Sequence, residues 1–249
     1  MQARFYLYTH QMGKAYDAAK TVYVAMPVGL STTDDFNMRY FAAPSECLFA
    51  LSNHELMDYE PNVLGMGNDV ISSTNLFISV AENNDMRSVL YEGVEVATHI
   101  GYGSLWNTST MDGIGTYSKA LLKKYYYDIN RTYTAVELLT KLQIVPMLRM
   151  SEVYLILMET TTVLEEANAL YVDYMRARNV NITETFTSLE GVKDFVLSEI
   201  RREFYGEGHM FYAYKRVGCK RMLWGANEIG EAEYILPLPD SEYDPANHN

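Results

Sequence analysis

Residues able to make or break bonds occur along this chain, but their spacing does not match the reactions they would serve. His54-Glu55 is not followed by a second histidine four positions after His54, so two imidazoles cannot share one helix face around a zinc ion. Gly101-Tyr102-Gly103 lacks the third glycine and the preceding strand that a dinucleotide loop requires. No Gly-x-Ser-x-Gly elbow presents a nucleophile. Glu199, Glu203 and Glu207 recur every four residues, a spacing able to line carboxylates along one helix face. Arg201 and Arg202 interleave with them, so the expectation is a solvated row of ion pairs. No carboxylate pair stands out for glycoside hydrolysis. The chain therefore reads as a non-enzyme with no cofactor and no metal site.

The side chains that suggest chemistry are aromatic. The chain holds 21 Tyr, 9 Phe and 2 Trp, a surplus suited to stacking on sugars or packing against a partner, since a tyrosine ring is apolar with a polar tip. Residues 98–118 hold four glycines with Tyr102, Trp106 and Tyr117 interleaved. A long aromatic loop inside a folded chain points to function. Tyr102 and Trp106 are the candidate ligand-binding residues. Trp106 sits beside Ser104, Asn107 and Thr108, so an apolar face adjoins hydrogen-bonding groups. The competing reading is that Trp106 fastens the loop to the core.

Composition limits the partners. A net charge of −12 argues against nucleic acid and anionic membrane surfaces, because phosphate contacts need clustered Lys and Arg. Hydrophobic residues at 48% and charged residues at 21% describe a chain that folds. No stretch approaches the ~20 apolar residues of a membrane span. Cys47 and Cys219 give neither a metal pattern nor a disulfide framework and read as half-buried thiols. The sequons at Asn107, Asn130 and Asn181 carry weight only in a secretory context.

These residues need elements to position them, and the periodicity supplies a mainly α fold with tetratricopeptide-like hairpins and long irregular loops. A hairpin is expected over residues 3–10 and 13–25 within segment 1–27. Ala3, Leu7 and His10 share one face, Gly13 marks the turn, and Ala15, Ala18, Ala19 and Val22 form a small-residue stripe. A loop-rich ligand-side segment follows over 28–145, with Cys47 to Leu51 extended and 69–81 helical. Residues 146–249 form a helical scaffold and a final strap within the same domain. Three packed helices are expected over 146–218, with Tyr154, Leu170 and Phe204 buried and Ser188 capping the third.

Four segments then fall in a fixed order over residues 149–242. They are Arg149-Met150-Ser151-Glu152-Val153-Tyr154-Leu155-Ile156, Arg176-Ala177-Arg178, Arg202-Glu203-Phe204-Tyr205-Gly206-Glu207-Gly208, and Leu236-Pro237-Leu238-Pro239-Asp240-Ser241-Glu242. Together they resemble the SusD/RagB family. Upstream, Arg4 to Tyr23 is similar to the family's second tetratricopeptide-like pair, and Asp85-Met86-Arg87 to its Asp-x-Arg turn. Where many members carry an Arg and, three positions on, an Asp, this chain has Met210 and Ala213, which implies apolar packing in place of an ion pair.

The resemblance implies a surface receptor of the outer membrane of Bacteroidota. Such lipoproteins cap a TonB-dependent SusC-like transporter and capture oligosaccharides, or sometimes peptides, for import. It also implies a lipidated cysteine and a first helical half ahead of the Arg4 region, so the chain reads as a second half. An uncovered apolar face on the first hairpin, and self-association through it, are then expected. The alternative is a helical-repeat scaffold that binds only a protein partner.

Overall fold

The computed structural model describes residues 1–38, 40–56, 131–204, 206–221 and 228–235, with the backbone of 106–109 and 117–120. The expected helix over 69–81, the Asp85-Met86-Arg87 turn, Tyr102 and the strap from Leu236 lie outside the described residues.

Helices α1 (Gln2–Tyr8) and α2 (Met12–Ala25) form the expected hairpin. The turn is Thr9-His10-Gln11, not Gly13, which lies in the first turn of α2. His10 adopts φ 57°, and the amides of His10 and Gln11 donate to Leu7 and Tyr6 carbonyls at 3.1 and 2.8 Å. That is the bond pattern of a left-handed helix stop, so His10 ends α1 and leaves the face it was expected to share with Ala3 and Leu7. Ala15 and Ala19 are fully buried. Having no bulk beyond Cβ, they let α2 pack closely. Met26, also left-handed, ends α2 just before Pro27.

A short α3 (Thr33–Asn37) is capped by the Thr32 side chain. The expected extended run is strand β1 (Cys47–Ser52). Part of the expected 98–118 loop is also strand: β2 (Trp106–Ser109) pairs antiparallel with β3 (Tyr117–Ala120). β1 pairs antiparallel with β4 (Ile144–Arg149), placing Cys47 opposite Arg149 and Ala50 opposite Pro146, with irregular register around Phe49. A proline is tolerated in such a ribbon where its missing N–H faces no neighbour.

Four helices follow where three were expected: α4 (Met150–Thr160), α5 (Leu164–Ala177), α6 (Leu189–Glu203) and α7 (His209–Val217). The unforeseen α7 lies between Gly208 and Gly218, both in left-handed conformations. Glycine adopts these at little steric cost, so a short aromatic-rich helix fits between two residues that read as breakers. α4 is the central helix. It touches α1, α2, α5 and α6, and all of its residues except Glu159 are buried. Tyr154, Leu170 and Phe204 are buried as expected, and Ala213 joins the same core with Met210 packed against it. Asn179 closes α5 in a left-handed conformation, and the Val180 amide reaches back to the Met175 carbonyl at 2.9 Å. The Ser188 hydroxyl caps α6 by accepting from the Gly191 amide.

Candidate functional site

The charged residues singled out by spacing do not form a solvated row. Glu199 and Glu203 are 0% and 5% exposed and lie on the same stripe of α6 as Val192, Val196 and Ile200. Two arginines distant in sequence reach them. Arg149, the residue before α4, binds Glu46 and Glu203 through Nη1 at 2.7 and 2.6 Å, and Glu207 through Nη2 at 2.9 Å. Arg178, at the end of α5, binds Glu46 and Glu203 through Nη2 at 2.9 and 3.1 Å and donates from Nη1 to the Ser31 carbonyl. The Tyr174 hydroxyl lies 2.9 Å from both Glu199 Oε1 and Glu203 Oε2. Glu46 also accepts from the Ser151 hydroxyl and the Ser31 amide.

This hub ties together the loop before β1 and helices α4, α5 and α6. Burial by itself would lower the Arg149 pKa, but attraction from Glu207, Glu203 and Glu46 outweighs it and holds the guanidinium well above its ordinary value. Permanent cations therefore face carboxylates already committed to them. The arrangement offers no free acid or base and is structural chemistry. The signal that would have revealed it is the continuity of Glu199 and Glu203 with the apolar stripe of α6. Arg149 and Arg178 stand in the segments that carry the family resemblance, but their pairing with Glu46 had no local signal.

A second cluster marks the scaffold edge where the chain returns from residues 57–130. Arg131 donates to the Met38 carbonyl at 2.9 Å and to Glu137 Oε1 at 3.1 Å. Its guanidinium stacks over the rings of Tyr133 and Tyr40. Glu137 sits in a capping box with Thr134 and also accepts from the Tyr40 hydroxyl. The Thr134 amide, the Tyr40 and Thr134 hydroxyls and nearby Arg131 bring its pKa down to about 2. On the outgoing side, the Gln143 side chain donates to the His54 carbonyl, and the Asn53 amide to the Gln143 carbonyl at 2.8 Å. Both ends of the segment carrying β2 and β3 are thus fastened to one edge of the scaffold.

The expected ligand residues fall within that segment. Tyr102 lies outside the described residues. Trp106 opens β2, opposite Ala120, with Asn107 opposite Lys119 and Thr108 opposite Ser118. Among the described residues, a cavity of about 20 Å³ beside Tyr8 and Arg216 is far below the ~300–1,000 Å³ of ligand pockets. Also among the described residues, no group of three or more His, Cys, Asp or Glu is placed to hold a metal ion, and no helix is long and apolar enough to cross a membrane. Cys47 and Cys219 are free and half-buried, as expected. Burial pushes the Cys47 thiol up to about 12, so it is inert as a nucleophile at neutral pH.

The helical scaffold is that of solved SusD superfamily proteins. One from Bacteroides thetaiotaomicron VPI-5482 matches at 23% identity and TM-score 0.66, over 98% of this chain and 57% of its own. A SusD-like carbohydrate binding protein from Bacteroides vulgatus ATCC 8482 matches at 16% identity and TM-score 0.64, over 97% of this chain and 56% of its own. A laminarin binding SusD-like protein matches at 15% identity and TM-score 0.53, over 93% of this chain and 58% of its own. The chain thus spans little more than half the length of these structures. No curated protein matches it. The SusD family profile matches residues 62–245, and the chain belongs to that family.

Proposed function

We propose that this chain captures a nutrient, an oligosaccharide in the first instance, for import through a TonB-dependent SusC-like transporter at the bacterial outer membrane. Tyr102 and Trp106 contact the ligand in this reading, and the chain binds without making or breaking bonds. The observation that carries it is the family match over 62–245, which takes in both the Trp106 segment and the helical scaffold. The two relatives named for binding carbohydrate and laminarin support the ligand class. A segment whose two ends are fastened to the helical scaffold is a suitable place for a variable binding surface.

The test is affinity electrophoresis against a panel of soluble glycans, laminarin included, with wild type and Trp106→Ala. A ring that stacks on sugar gives weaker binding with an unchanged melting temperature. A ring that fastens the segment gives a stability loss of about 3–5 kcal/mol, the range for large-to-small core changes. A stability loss with binding intact removes Trp106 from the site. Failure of wild type to bind any glycan favours a scaffold that engages only a protein partner. The expected self-association stands beside this proposal, since Met1, Phe5 and Val24 of the first hairpin region are exposed. Light scattering that finds a monomer at high concentration counts against it.

A further inference from the structure

The small cavity between α1, α4, α6 and α7 has both apolar and charged walls. Leu155, Phe204 and Ala213 line it together with Tyr8, Glu159 and Arg216. The Arg216 side chain is only 4% exposed. Its two Nη groups clasp both carboxylate oxygens of Glu159. Its Nε–H is buried and has no hydrogen-bond acceptor among the described residues. The Tyr8 hydroxyl, on the neighbouring wall, makes no hydrogen bond within the described residues. Burial raises the Tyr8 pKa, as does Glu152, while Arg4 and Arg216 oppose the shift, so the phenol stays neutral and can both donate and accept.

A buried N–H left without an acceptor is destabilising, more so on a charged group. A void of about 20 Å³ exceeds the ~10–15 Å³ that one water needs, and water requires two to four polar partners. An anion would meet Glu159 and Glu152 on the same walls, and a cation would meet Arg216. A neutral molecule of the smallest size satisfies both constraints.

We propose that this cavity is a binding site for one water molecule, which accepts from Arg216 Nε–H and bridges to the Tyr8 hydroxyl. The water is then a hydration cross-link between the first hairpin and α7, supplementing the stack of Tyr8 on Tyr212.

A high-resolution crystal structure of the whole chain tests this, paired with Arg216→Lys. Lysine keeps a cation opposite Glu159 but has no Nε–H. The expected result is a density peak within hydrogen-bond reach of Arg216 Nε in the wild type and its loss in the variant. A dry cavity in the wild type, or a peak of equal occupancy in Arg216→Lys, overturns the proposal. Should Arg216→Lys not fold, Tyr8→Phe replaces it, read in solution by water-oxygen relaxation dispersion. Loss of about one long-lived water per chain supports the site, and an unchanged count overturns it.

Discussion

Two clusters in this molecule use the same residue types for the same purpose in different surroundings. The hub of Arg149, Arg178, Glu46, Glu203 and Tyr174 lies almost wholly out of water. The edge cluster of Arg131, Glu137, Tyr40 and Tyr133 keeps part of its charge in solvent, with Arg131 and Glu137 side chains 30% and 26% exposed. Each joins segments far apart in sequence through guanidinium, carboxylate and phenol. What differs is the cost of losing a member. In the hub, a removed cation leaves buried carboxylates that water cannot reach, whereas at the edge water takes its place.

Arg178→Ala breaks the comparison most severely. It takes from the buried Glu46 and Glu203 one of the two arginines they share and leaves Arg149 to face both, and unfolding in urea should show a loss of about 3–5 kcal/mol, the range for breaking a buried pair. A loss below 1 kcal/mol would mean that the hub is hydrated. Tyr174→Phe deletes one hydroxyl from two carboxylates while keeping the ring, and about 1.5–3 kcal/mol should be lost, as for a hydrogen bond to a charged group.

Arg131→Ala should cost only about 0.2–1 kcal/mol, the range for exposed pairs, with a visible dependence on salt. A cost equal to that of Arg178→Ala would remove the distinction between the clusters. The smallest effect is one of pH. Because the Glu137 pKa is depressed from 4.5 to about 2, its contribution is fully present above about pH 4.5 and is lost as pH falls towards 2. The difference in melting temperature between wild type and Glu137→Gln should therefore shrink across that window. A difference that is flat from pH 5 to 2 would contradict the depressed pKa.

The hub also shows where local reading stops. Glu199, Glu203 and Glu207 with Arg201 and Arg202 form a pattern that, on an isolated helix, describes a solvated face. It becomes a core only because α4 and α5 bring Arg149 and Arg178 to it from 54 and 25 residues away. His10 and Gly13 tell the same story at short range. Both permit a turn, and the bonds back to Leu7 and Tyr6 select His10.

By itself the sequence determined the elements whose periodicity or chemistry is local. These are the alanine stripe of α2, the apolar run of α4, the stripe of α5 with Tyr174 inward, the Ser188 cap, and the extended run at Cys47. It also carried the ordered segments that mark the family. These properties follow from neighbours within a few residues, which helix and strand geometry bring into contact whatever the rest of the chain does. The tertiary structure alone decided which charges left water, which glycine-bounded stretch became α7, and how Trp106 entered a strand pair between two fastened ends. Each depends on groups far apart in sequence, and desolvation is a property of the assembled surroundings that no single segment encodes.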